Sequence, residues 1–131
     1  MPTIKFHGSK ELNSLAFDAM EKLALKYGNP ECGRNRATFL SHHFVIKFPL
    51  NKKGIADNIF EGTHYSRKKY YAKGRIININ GFKCVIQERL KMPKLSERVA
   101  SEWPSWVSKI DCGQVGFDRK GNLKAYDFGP N

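Results

Sequence analysis

The sequence predicts an α+β fold, a mainly antiparallel sheet with helices packed on it. Two observations carry the prediction. One stretch near the N-terminus repeats its apolar residues at three- and four-residue steps, the period of a helix. Three later stretches each join two short runs, rich in β-branched or aromatic residues, through turn-forming residues; such hairpins make antiparallel neighbours.

In order, residues 9–27 (SKELNSLAFDAMEKLALKY) read as an amphipathic helix, with Leu12, Leu15, Ala16, Ala19, Met20, Leu23 and Tyr27 on one face. Ser9 is placed to cap its start, Gly28 to take the left-handed conformation after its end, and Pro30 bars continuation. RATFLS and FVIKFPL then read as a hairpin with His42 and His43 at its tip. Residues 54–74 (GIADNIFEGTHYSRKKYYAKG) are expected to form a second helix, with Ile55, Ile59 and Tyr65 or Tyr70 on its buried side. Gly62 costs that helix about 1 kcal/mol relative to alanine. RIININGFKCVIQERL is the clearest strand signal, two runs flanking Asn80-Gly81, a preferred pair for a tight two-residue turn. SERVASEWPSWVSKI reads as a short helix that Pro104 interrupts. In QVGFDRKGNLKAYDF, Val115 and Phe117 lead into a turn and Leu123, Ala125 and Phe128 lead out.

With 131 residues, 40% of them hydrophobic, the chain is expected to be one domain, 1–131, with a real core. No apolar run approaches the roughly 20 residues that span a bilayer, and the N-terminus has no apolar core of the secretory kind. The expectation is a cytoplasmic protein with no membrane partner. Cys32, Cys84 and Cys112 are odd in number and widely spaced, which predicts reduced thiols. No Cys or His pair has zinc spacing. Lys and Arg number 23 against 12 Asp and Glu, a net charge of +11 that favours acidic partners.

Four stretches carry chemistry. FVIKF runs a β-branched strand into Lys47. Glu61 follows fourteen residues later, with Asp57 one turn away. VIQERLKMP ends an apolar strand in Gln87, Glu88, Arg89 and Leu90. DCGQVGFDRKGNLKAYDFG closes a glycine-containing hairpin on Asp127-Phe128-Gly129. In this order they resemble the small lobe of protein-kinase-like proteins, closest to the compact, atypical forms of bacteria and phages. The resemblance covers residues 33–129, with 9–27 as an added helix, and includes no large lobe. It implies that Lys47 contacts nucleotide phosphates and that Glu61, or Asp57 in its place, pairs with Lys47. It also implies that the 87–90 stretch receives adenine through backbone hydrogen bonds, and that Asp127 holds magnesium.

The departures from that pattern bear on activity. Gln114 stands where the family's loop asparagine binds a second magnesium ion, and near-octahedral magnesium tolerates an extra methylene poorly. Lys109 stands where the catalytic aspartate is expected, and an ammonium cannot accept the substrate's proton. Asp111 is the candidate replacement. The glycine-rich loop is reduced to Gly33 in NPECGRNRATF, where Arg34 and Arg36 either supply charge or are solvated.

The reading is a catalytically degenerate kinase-like accessory protein, phage-encoded. It docks on a host or phage protein and inhibits it, in the cytoplasm of the host bacterium. Lys47, Glu61 and Asp127 are its nucleotide-binding candidates. No obligate cofactor is expected, and ATP with magnesium is expected to bind weakly at most. One alternative is an unusual ATP-dependent phosphotransferase using Asp111 and Asp127. Another is a nucleic-acid-binding module. Its patch would be Arg67, Lys68, Lys69, Lys73 and Arg75, interleaved with Tyr65, Tyr70 and Tyr71.

Overall fold

The computed structural model describes residues 4, 6, 10–64, 70–92 and 115–126. The fold is α+β. Helix α1, Lys10–Tyr27, buries Ala16, Ala19, Met20 and Leu23. The period is the expected one, but the buried stripe begins at Ala16. Leu12 and Leu15, expected inside, are 42% and 45% exposed. Gly28 ends the helix at φ 86°, the left-handed conformation predicted for it.

Five strands form one sheet: β1 (Glu31–Cys32), β2 (Arg36–Leu40), β3 (Phe44–Pro49), β4 (Gly74–Ile79) and β5 (Phe82–Glu88). Their order is β1-β2-β3-β5-β4 and every pairing is antiparallel, so β3 and its Lys47 lie at the centre. The two-residue β1 carries no pattern that reveals it in the sequence. Between β4 and β5, Asn80 and Gly81 have φ of 50° and 84°, as a tight type I′ turn requires.

Side chains alternate across the sheet. One face carries Ala37, Phe39, Ile46, Phe48, Phe82 and Cys84, which pack with the α1 stripe and Phe6 into the main apolar core. Phe6 and Phe48 both tilt against Phe82, at centroid distances of 5.1 and 5.3 Å. The opposite face carries Thr38, Lys47 and Val85 in one cross-strand row and Leu40, Val45 and Gln87 in the next.

Helix α2, Lys52–His64, packs against that second face. Asn51 caps it, accepting from the Gly54 N–H at 2.9 Å. The inward positions are Gly54, Asp57, Asn58 and Glu61, steps of three and four with no large apolar residue among them. This corrects the expected inner face and length. Ile59 is 39% exposed, Tyr70 lies in a turn outside the helix, and Tyr65 lies outside the described residues. Ile55 does pack against the core. A pattern read from apolar residues misses a helix whose buried side is polar.

Strands β6 (Val115–Phe117) and β7 (Leu123–Ala125) form a separate two-stranded sheet. Lys91 and Phe117 exchange backbone hydrogen bonds of 2.8 Å, and Ala125 bonds to Tyr70 and Ala72. A Cβ on Gly116 would stand 2.7 Å from the Leu90 Cβ, so the hairpin sits directly on that residue. The short helix expected over 96–110 lies outside the described residues, as do Ser9, Phe128 and Cys112. Cys32 and Cys84 are free thiols, and burial pushes the Cys84 thiol up to about 12. Among the described residues no helix is long and apolar enough to cross a membrane.

Gly62 yields a test of the packing. A Cβ there would lie 2.3 Å from the Ile76 Cγ1. Gly62→Ala gains about 1 kcal/mol in helix propensity but overpacks the α2–β4 contact, which typically costs about 1–3 kcal/mol. We expect a net loss of roughly 1 kcal/mol in urea unfolding, turning into a gain when Ile76 is also alanine.

Candidate functional site

The polar second face of the sheet converges on one carboxylate. Glu61, from the third turn of α2, is fully buried. Lys47 Nζ donates to its Oε1 at 2.7 Å. Arg36, one strand over on β2, donates to Oε2 at 2.9 Å and pairs with Oε1 at 2.9 Å. Lys47 Nζ also donates to the carbonyl of Tyr126, the residue before Asp127 in the sequence. Lys47 and Arg36 are themselves buried.

Asn58 braces the group. Its Oδ1 accepts from Arg36 at 3.2 Å, and its amide nitrogen donates to the carbonyls of Lys47 and Lys83 at 3.1 and 2.9 Å. One side chain thus fixes α2 to β3 and β5 and orients the arginine. Burial alone would raise the Glu61 pKa. The Lys47 and Arg36 cations outweigh it and hold the carboxyl below its ordinary value.

This cluster borders a cleft of about 840 Å³ lined from β1, β2, β3, the loop between β1 and β2, and the segment after β5. Gly33, Arg34, Arg36, Lys47, Gln87, Glu88, Arg89, Leu90 and Tyr126 all contribute. Six lysines and arginines face three carboxylates along its wall, so it attracts anions. Asn51 ties the β1–β2 loop to the start of α2, donating to the Asn35 Oδ1 at 3.2 Å.

The sequence-predicted residues fall in four groups. Lys47 and Glu61 are together, and Tyr126 is with them. Asp57, the alternative partner for Lys47, instead accepts from Lys53 at 2.6 Å one turn earlier on α2. Lys73 and Arg75 are exposed on and beside β4. Lys109, Asp111, Gln114 and Asp127 lie outside the described residues, as do Arg67, Lys68 and Lys69. Among the described residues no group of three His, Cys, Asp or Glu could hold a metal ion.

Sequence reasoning missed the role of Arg36, which reads as either a charge at the reduced glycine loop or a solvated arginine. It also missed the burial of Asn58. The available signal was strand alternation. Arg36 lies two residues before Thr38, the cross-strand partner of Lys47, and so shares its face. A second ion cluster lies beyond the cleft. Lys124 pairs with Asp118 at 2.9 Å and Glu88 at 3.1 Å, locking the β6–β7 turn to the end of β5. Burial opposes ionisation of Asp118, but Lys124 and the Asn122 and Lys120 hydrogen bonds hold its carboxyl far below the usual range.

No family model, curated protein or solved structure matches the chain. Site geometry therefore carries the functional argument.

Glu61 also sets a pH dependence. Its folded pKa is depressed, so it contributes stability above its unfolded value, near 4.5, that is lost as pH falls through the folded value. We expect Glu61→Gln to flatten the acid limb of the stability curve. At pH 7, Glu61→Ala should cost about 3–5 kcal/mol, because two buried cations lose their counterion. Lys47→Met should cost less, since Arg36 still neutralises Glu61. Chemical unfolding from pH 3 to 7 measures both.

Proposed function

We propose that the chain is a kinase-like small-lobe protein that holds a nucleotide in the cleft without transferring its phosphate, and works by docking on another macromolecule. The observation that carries this is the buried Lys47–Glu61 pair on the wall of a cationic cleft. An ammonium held by a carboxylate in a water-poor site is fixed in place for an anionic ligand. The arginine on the same carboxylate leaves the cluster with net positive charge, so phosphate meets attraction. The volume lies within the usual range for a small-ligand site, about 300–1,000 Å³.

Lys47 would contact the phosphates, with Arg34 at the mouth adding charge. Magnesium, when bound with nucleotide, neutralises phosphate charge, and Asp127 is the sequence's candidate ligand for it. Absence of transfer is argued from Lys109 and Gln114, which stand where a proton acceptor and a magnesium ligand are expected. The net charge of +11 supports docking on an acidic partner.

The test is a thermal melt with ATP and magnesium. A ligand at 100 times its Kd stabilises the fold by about 2.7 kcal/mol, on the order of 10 °C for a domain of this size. We expect a saturable shift that Lys47→Met abolishes, with no phosphate transfer above background to the chain or to generic protein substrates. A flat titration, or a shift indifferent to Lys47→Met, overturns the binding reading. Autophosphorylation lost in Asp111→Asn replaces it with the phosphotransferase.

A further inference from the structure

The cleft has a second polar feature, and it has no partner. Gln87, at the end of β5, is 1% exposed, and neither its amide oxygen nor its amide nitrogen has a hydrogen-bond partner among the described residues. Buried polar side chains are nearly always paired, so an orphaned amide on a cleft wall calls for an explanation. Gln87 lines the same cleft as Lys47 and lies on the same sheet face, opposite Val45 and two residues from Val85, the cross-strand partner of Lys47. Leu40 pairs with Val45 in that row, and Leu90 follows on the chain. The cleft thus has cationic groups at Lys47 and Arg34, and an apolar stretch at Leu40, Val45 and Leu90 beside a buried amide with no partner.

The local backbone sharpens the point. The N–H groups of Glu88, Arg89 and Lys91 already donate to the carbonyls of Lys73, His43 and Phe117, at 2.8, 3.1 and 2.8 Å. Three main-chain donors along this wall are therefore used by the fold, while the Gln87 side chain offers a donor and an acceptor side by side. A glutamine amide pairs bidentately with a base that presents an amino group next to a ring nitrogen, as adenine does at N6 and N7. Its terminal torsion is soft, so turning the amide meets little resistance from the side chain itself.

Building on the nucleotide reading above, we propose that Gln87 is a specificity-determining residue. Its side-chain amide reads the amino edge of an adenine seated between Leu40, Val45 and Leu90, while Lys47 holds the phosphates. Recognition of the base then includes a side chain.

The experiment measures, by calorimetry, binding of ATP, purine riboside triphosphate (which lacks the 6-amino group) and inorganic tripolyphosphate, to the full chain and to Gln87→Met and Lys47→Met. One bidentate pair is worth about ten- to hundred-fold. We expect the wild type to prefer ATP over purine riboside triphosphate by about that factor. Gln87→Met should bring the two to within about two-fold and leave tripolyphosphate unchanged. Lys47→Met should weaken all three. Removing an unpaired buried amide should also raise the ligand-free melting temperature of Gln87→Met, because a near-isosteric apolar group has no unmet hydrogen bond. If ATP and tripolyphosphate bind through Lys47 but Gln87→Met keeps the preference, Gln87 does not read the base and the proposal fails alone. If Gln87→Met lowers the ligand-free melting temperature, the amide is part of the fold and the proposal likewise fails. If none of the three ligands binds the wild type, the cleft reading fails and takes this one with it.

Discussion

One carboxylate holds the second face of the sheet together. Glu61 is buried between two cations from neighbouring strands, and it is the link between α2, β2 and β3. Moving it breaks more than a pair. Arg36 and Lys47 would share a low-dielectric site with net charge of two, and several kcal/mol of desolvation would stand uncompensated. Asn58 one turn earlier and Asn51 at the helix cap extend the same constraint to β5 and to the loop over the cleft. Those contacts are polar and directional, so they set where α2 sits as well as that it sits. The apolar core on the other face has no comparable specificity, because burial there rewards any close packing.

What was legible in the sequence follows from this division. The α1 stripe, the three hairpins and the Asn80-Gly81 turn were readable because period and turn chemistry are local. Lys47 and Glu61 were readable as a pair by spacing under the kinase-like resemblance. The inner face of α2 as a whole was not, since Gly54 and Asn58 carry no apolar signal and the partners of Asn58 are distant in sequence. Arg36 was hidden for the same reason, its partner lying 25 residues away. The glycines show a related limit. Gly54, Gly62 and Gly116 mark places where a Cβ would collide with Asn35, Ile76 or Leu90, and such contacts are long-range facts with no local signal.

Charge is unevenly used. Among the described residues most lysines and arginines are exposed, where screening in physiological salt leaves little pairwise energy. At the cleft the same excess acts differently. The Arg36–Lys47–Glu61 cluster carries a net positive charge inside low-dielectric walls, which focus its field outward through the opening. A surface lysine draws anions weakly and without direction. A buried, oriented one draws them to a single place, and that separates a phosphate site from a generally basic protein.

The two faces of the sheet can be compared as solutions to one problem. Toward α1, Phe39, Ile46, Phe48 and Cys84 are sealed with no polar atom to satisfy other than backbone and thiol. Toward the cleft, the same strands bury a three-member ion cluster and an amide with no partner. Stability alone argues against the second arrangement. Replacing a buried ion cluster by apolar residues of similar volume is often neutral or stabilising, and an unpaired buried amide costs about 1–3 kcal/mol. Both penalties fall on one face, within one cleft, a strand apart. Natural sequences break local consistency chiefly at functional sites. Here the breaks coincide in space, and the nucleotide proposal rests on that coincidence of a fixed ammonium and an unpaired amide on one cleft wall.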